Sequence, residues 1–262
     1  MALSASTVWE LRVDGSDNNG GGFVSGGAGT DRSQQAAAHA TLSASSTVHT
    51  TTTQINVAAG DYTVAAADVD NTLQITSGAA TAGFYRITAS DIPNNRWTID
   101  RSAGTAGQTV VGAMGGGLAS PGKVAGAVVA SNVVWQRYST TPYDISSITA
   151  NVAGGRVALA VAGIRWEGYE STRGDLSTNR PTIRTLVNNI TMFSTASATG
   201  VFGNFIINGA SLTTIIGVAT GAGTTTHRVR ANSCTSGSGA FSCGSGSVLL
   251  LCSVSGGTAP GF

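Results

Sequence analysis

Charge is scarce in this chain. Asp, Glu, Lys and Arg make up only 10% of its 262 residues. Helical bundles and α/β enzymes carry charged helix faces amounting to roughly a quarter of their residues, so both classes are disfavoured. Carboxylates are missing altogether from residues 176–262, which still hold Arg180, Arg184, Arg228 and Arg230. The net charge of +1 excludes a global pull toward nucleic acid or an anionic membrane. No run approaches 18 apolar residues, which excludes a membrane-spanning helix of the usual kind. The opening MALSASTVWELRVDG has neither a basic segment nor an apolar one, so no secretory signal is expected. Synthesis in a host cytoplasm follows, with an assembled virus particle as a route out and the cell surface as the alternative location. The odd count of three cysteines, together with the absence of a secretory signal, disfavours a disulfide framework.

What the chain has is 36 glycines among abundant Ser, Thr and Ala, with short Val and Ile runs between them. Its 41% apolar content is too high for disorder. Small residues, β-branched runs and glycine punctuation indicate an all-β protein.

Residues 1–60 read as an N-terminal arm or attachment segment. A strand (TVWELRV) precedes a glycine-rich surface loop (DGSDNNGGGFVSGGAGTD), and Thr30 is positioned to cap a short helix running to about His39. In residues 61–116, NTLQITSG, AGFYRITASD and RWTIDRSAG alternate apolar and polar residues, which predicts a small antiparallel module of three or four strands. LASPGKVAGAVVASN carries the strongest helix pattern, over about 118–131. Ser120 caps, Pro121 takes the first turn, and Leu118, Val124 and Val128 share a face. From there to the end, short apolar runs recur between Gly, Ser, Thr and Asn with a loose period near 20, which suggests a solenoid.

The helix LASPGKVAGAVVASN, the following NVVWQ and the recurring short runs resemble right-handed parallel β-helix proteins of the pectate-lyase-like superfold. The segments SDNNGGGFVSGGAGTD, NTLQITSG…GFYRI, GGGLASPGKVAGA and GYESTRGD…NRPTIR are similar to a group of such proteins from phage and environmental sequences. The resemblance covers nearly the full chain. It departs from the group where RYSTTPYD replaces the usual pGtY signature. It implies a single-stranded right-handed parallel β-helix over residues 117–262, plugged at its start by the 118–131 helix.

Cys234, Cys243 and Cys252 lie nine residues apart. That spacing lacks the close ligand pairs of a zinc site. In stacked rungs about 4.8 Å apart, Cys234 and Cys252 are expected to form an interior ladder. Asp14, Ser16 and Asn18 mimic the first ligands of a calcium loop, but Asn19 and Ser25 occupy the positions of the required Gly and Glu. No metal and no cofactor are therefore expected.

β-helix enzymes that cleave polysaccharides use carboxylate pairs or calcium-binding carboxylates. The candidates here are Glu167, Glu170, Asp175 and Arg173, with Arg165, in RWEGYESTRGD. Glu167 and Glu170 stand three apart, which is not the alternate spacing that shares a strand face, so a charged solvated loop is the simpler reading. The RGD at Arg173–Asp175 is too short to specify adhesion. Trp135, Tyr138, Tyr143, Trp166 and Tyr169 are divided between core packing and a sugar-stacking surface. His227, Arg228 and Arg230, with Arg180 and Arg184, are too sparse for a nucleic-acid footprint and suit acidic groups on a neighbouring subunit.

These features favour a non-enzymatic structural protein of a phage particle: a tail spike, fibre or capsid-decorating protein. Its partners would be itself as a homotrimer, other virion proteins and host-surface polysaccharide, with no nucleic acid or membrane partner. The alternatives are a β-helix polysaccharide lyase or hydrolase, a carbohydrate-binding module, and a bacterial surface adhesin. At the end of the chain, Phe262 repeats Phe241, and the stack is expected to finish partway round a turn with an edge that another chain or further sequence covers.

Overall fold

A computed structural model describes residues 3–195, 199–212, 216–234 and 240–255. The protein is all-β with one short α-helix. It divides into two compact units, Met1–Glu10 with Asp14–Leu118, and Leu11–Val13 with Ala119–Phe262.

In the first unit, β1 (Thr7–Leu11) pairs antiparallel with β2 (Gly22–Val24). Six further strands close into an antiparallel barrel. They are β3 (Ala40–Val48), β4 (Gln54–Asn56), β5 (Thr72–Gly78), β6 (Gly83–Asp91), β7 (Arg96–Ile99) and β8 (Thr109–Met114), in the order β3-β4-β7-β6-β5-β8. Alternation along β7 buries Trp97 and Ile99 while Arg96 and Thr98 stay partly exposed. Leu42, Ile55, Leu73, Ile87, Val110 and Met114 fill the same core.

The Asp68 carboxylate is fully buried in this unit. It accepts from Trp97 Nε1 (2.9 Å), Tyr62 Oη (2.9 Å) and the Ala65 amide (2.8 Å), which offsets the cost of burying the charge. Burial, with Asp68 as the second cause, pushes the Tyr62 hydroxyl up to about 12.

Three expectations change here. The module is larger than three or four strands and begins at Ala40, so Ala40–Val48 and Gln54–Asn56 are barrel strands, not part of an arm. Residues 30–39 form turns and not a helix, because long-range partners take their backbone groups. Asn71 Oδ1 accepts from the Arg32 amide, Gly116 N donates to Arg32 O, and His39 N donates to Met114 O. The glycine-rich loop is pinned and partly buried: Asn19 donates to Ala36 O (2.8 Å) and Gly117 O (2.9 Å).

The second unit begins with α1 (Pro121–Ala127), which packs on the strands that follow. Ser120 Oγ accepts from the Lys123 amide as expected (3.3 Å). The helix stops earlier than predicted. Val128 is extended, and Asn132 Oδ1 takes the Val129 amide (2.9 Å), which turns the chain toward strand.

Three parallel sheets follow. The first contains, within this unit, β9 (Val133–Arg137), β12 (Ile164–Tyr169), β15 (Gly200–Gly203), β18 (Thr224–His227) and β21 (Val248–Leu250). The second contains β10 (Tyr143–Ile145), β13 (Thr182–Thr185), β16 (Ile206–Asn208), β19 (Arg230–Asn232) and β22 (Ser253–Ser255). The third contains β11 (Val157–Leu159), β14 (Thr191–Thr195), β17 (Ile216–Thr220) and β20 (Phe241–Cys243). The chain visits first, second and third sheet in strict rotation, and each strand pairs in parallel with the strand three later.

Register sets the period. Ile207 pairs with Ala231, and Ala231 with Val254, so the later rungs repeat at 23 to 24 residues on this sheet, longer than the period near 20 read from sequence. Inward side chains stack in columns such as Val134, Trp166, Phe202, Thr226 and Leu249. Phe193 meets Trp166 and Phe202 edge-on at 5.3 and 5.0 Å between ring centroids, a favoured geometry for aromatic pairs. The cysteine ladder does not form, because Ser253 pairs with Arg230. Cys252 therefore aligns with Val229, and a stack on Cys234 would need an 18-residue rung. The expected repeat of Phe241 at Phe262 lies outside the described residues.

Each turn into the first sheet passes through a left-handed residue. Ser131 (φ 67°), Gly163 (74°), Thr199 (63°), Gly223 (69°) and Gly246 (72°) occupy this corner on successive rungs, tied by Gly163 N to Thr199 O (2.6 Å) and Thr199 N to Ala222 O (3.2 Å). Threonine is the strained member, since a β-branched side chain there costs about 1–2 kcal/mol. Thr199→Gly is expected to stabilise the protein by about 0.5–1 kcal/mol, read as a higher urea midpoint. A lowered midpoint would contradict this account of the corner.

Candidate functional site

The outward face of the first sheet carries the candidate site. Along β12, Ile164 and Trp166 point into the core, so Arg165 and Glu167 share the opposite face. Arg165 is exposed there, yet Glu167 is only 3% exposed. A cleft of about 280 Å³ lies against it, lined by Trp135, Arg165, Asp175, Leu176, Val201 and His227 among others.

Register explains the assembly. Trp135, Glu167, Gly203, His227 and Leu250 form one column across five strands. Glu167 and His227 stand two strand spacings apart, about 9.6 Å, yet His227 Nε2 lies 2.9 Å from Glu167 Oε1. The intervening residue is what permits this. A Cβ on Gly203 would sit 2.2 Å from His227 Nε2, so only glycine leaves room for the imidazole to lean across the strand. Arg165 Nε donates to the same carboxylate oxygen at 3.3 Å, and its guanidinium lies 5.4 Å from the centre of the Trp135 ring, within cation–π range. The cleft wall is thus a continuous series: indole, guanidinium, carboxylate, imidazole.

The other predicted residues behave differently. Glu170 accepts from Ser177 Oγ and from Asn179 Nδ2 (2.6 Å), which lower its pKa. Asp175 organises its own loop, accepting from the amides of Glu170 (2.8 Å), Ser171 (2.9 Å) and Thr172 (2.9 Å). Burial opposes its ionisation, but these donors outweigh it and hold the carboxyl below its ordinary range. The RGD aspartate is therefore committed to its loop. Arg173 is half-buried in that loop and is not among the residues lining the cleft. The structure brings Glu167 and Asp175 to one cleft and gives Glu170 separate partners.

Of the aromatics, Trp166, Tyr143 and Tyr169 are buried, whereas Trp135 is only half-buried and borders the cleft. All three cysteines are free thiols. Burial pushes the Cys234 thiol up to about 11, which makes it a poor nucleophile or ligand. Among the described residues no three His, Cys, Asp or Glu side chains gather as a metal site would require.

Sequence reasoning missed His227 and Gly203 as site residues. Sixty positions separate His227 from Glu167, and only the strand register brings them together. Chemically, the cleft offers donors and acceptors beside an aromatic ring, a combination suited to hydroxyl-rich ligands. The chain matches no family model, no curated protein and no solved structure.

Two outcomes test this geometry. Gly203→Val should break the Glu167–His227 contact and destabilise the protein by about 1–3 kcal/mol, whereas Val201→Ala, at the cleft margin, should cost less. Equal tolerance of both would remove the need for the glycine gap. For Asp175, the lowered folded pKa means its contribution is complete above the ordinary carboxylate range and disappears as pH falls through the folded value. Asp175→Asn should abolish that part of the acid-side loss, measured by denaturation midpoints across acidic pH.

Proposed function

We propose that this chain is a non-enzymatic structural protein of a phage particle, with its second unit wound as a single-stranded right-handed parallel β-helix. The observation that carries the proposal is the rotation of the chain through three parallel sheets with each strand hydrogen-bonded to the strand three later. Such a stack is stiff and takes its stability from repetition. The low charge supports the same reading. So does Val248, Leu250 and Leu251 standing 46%, 51% and 83% exposed on the last described rungs, where a neighbouring copy or another particle protein would shield them. The homotrimer belongs to this proposal, as does contact with host-surface glycan.

A second reading, a polysaccharide-cleaving or carbohydrate-binding module of the same fold, is favoured by one observation: the cleft that joins Trp135, Arg165, Glu167 and His227. Cleavage by the usual two-carboxylate route needs a second carboxyl positioned across a sugar. Asp175 lines the cleft, but its oxygens are taken by loop amides.

Light scattering of the purified protein is expected to give about three times the 26.1 kDa chain mass, and the protein should copurify with capsid or tail components from its source. A monomer lacking such association, with polysaccharide depolymerisation that Glu167→Gln abolishes, would replace the structural reading with the enzymatic one.

A further inference from the structure

A second group of side chains in the same unit takes no part in the cleft wall. Register aligns Arg180, Asn204 and Arg228 at the turn between the first and second sheets, and Arg230 follows on β19. Arg180 Nη1 donates to Arg228 O at 2.6 Å. Arg228 Nη2 donates to the carbonyls of Leu176 (2.8 Å) and Ser177 (3.3 Å). Arg230 donates through Nε to Asn232 Oδ1 (2.9 Å) and through Nη2 to Ser255 Oγ (3.2 Å). Every acceptor is neutral.

Among the described residues no carboxylate pairs with these three guanidiniums, and the sequence holds none after Asp175. Arg184 differs, since Asp144 grips it at two points, 2.8 and 2.7 Å. The three charges also act on one another. Burial, then the charges of Arg228 and Arg230, lower the pKa of Arg180. Two independent features single out Arg228. Its Nε is buried without a hydrogen-bond partner, and its backbone is left-handed at φ 50°, a strained state for a long side chain.

We propose that Arg180, Arg228 and Arg230 form a binding site for a compact oxyanion group, a sulfate, phosphate or carboxylate. Guanidinium forks match the paired oxygens of such groups, and a bound anion would supply the counter-charge that the chain itself omits. A free oxyanion and the anionic group of an acidic glycan share this chemistry. The site uses none of the residues of the cleft wall and does not depend on the chain belonging to a particle.

The test is calorimetric titration of the full chain with inorganic sulfate, inorganic phosphate and a sulfated oligosaccharide. Ionic strength is held constant with chloride, because screening alone would mimic weak binding. Sulfate and phosphate are expected to bind more tightly than chloride. Arg180→Gln and Arg230→Gln should each weaken binding by about tenfold or more, while Arg184→Gln leaves it unchanged. Arg230 is exposed and bonded only to neighbouring polar side chains, so Arg230→Gln keeps the question answerable if Arg180→Gln fails to fold. Tighter binding of the oligosaccharide assigns the site to a glycan, and equal binding assigns it to a free oxyanion. Wild-type affinity no greater than that for chloride, or equal weakening by Arg184→Gln, would overturn the proposal.

Discussion

The backbone register between successive turns is the constraint on which the second unit depends. Once each strand is hydrogen-bonded to the strand three later, residues at equivalent positions are held about 4.8 Å apart, and every side chain acquires neighbours that the linear sequence does not reveal. The aromatic interior follows from it, as Phe193 comes to lie between Trp166 and Phe202. The corner column follows as well, because equal rung geometry demands the same left-handed bend each time, whether glycine, serine or threonine occupies it.

The same register decides the chemistry on the outer face. A carboxylate and an imidazole two strands apart would ordinarily be separate surface groups. Here a single missing Cβ, at Gly203, lets them meet. A few residues away, the arginine group illustrates the converse: like charges gathered by stacking and left without a carboxylate partner. In the first unit, satisfaction of a buried charge takes the place of repetition. Asp68 holds Trp97, Tyr62 and the Ala65 amide together inside a closed barrel, whose closure also removes the unpaired edges that an open sheet of this length would expose.

Much of the local structure was legible. Alternation located β5, β6 and β7, and the Ser120-Pro121 pair located the start of α1. The helix expected at residues 30–39 failed because Ser, Gln and Ala favour several backbone states, and bonds to Asn71, Gly116 and Met114 chose among them. The cysteine ladder failed for a related reason. A nine-residue spacing is visible in the letters, but the hydrogen-bonded rung is 23 residues long at that point. In the candidate site, Glu167 and Asp175 could be named from their charged cluster, whereas Gly203 gave no signal and His227 stood out only as part of a sparse basic group, with nothing in the letters to join it to Glu167.

By itself the sequence determined an all-β protein, poor in charge, with short strands, glycine corners and no carboxylate beyond Asp175. Those properties are compositional or local, and local sterics and hydrophobic alternation suffice to express them. Only the tertiary structure decided that six strands close into a barrel, that rungs stack at 23 to 24 residues on the second sheet, and that Glu167 reaches His227 over Gly203. Each of these depends on which distant strand supplies the hydrogen-bond partner, a choice made by the summed packing of the whole unit and carried by no single segment.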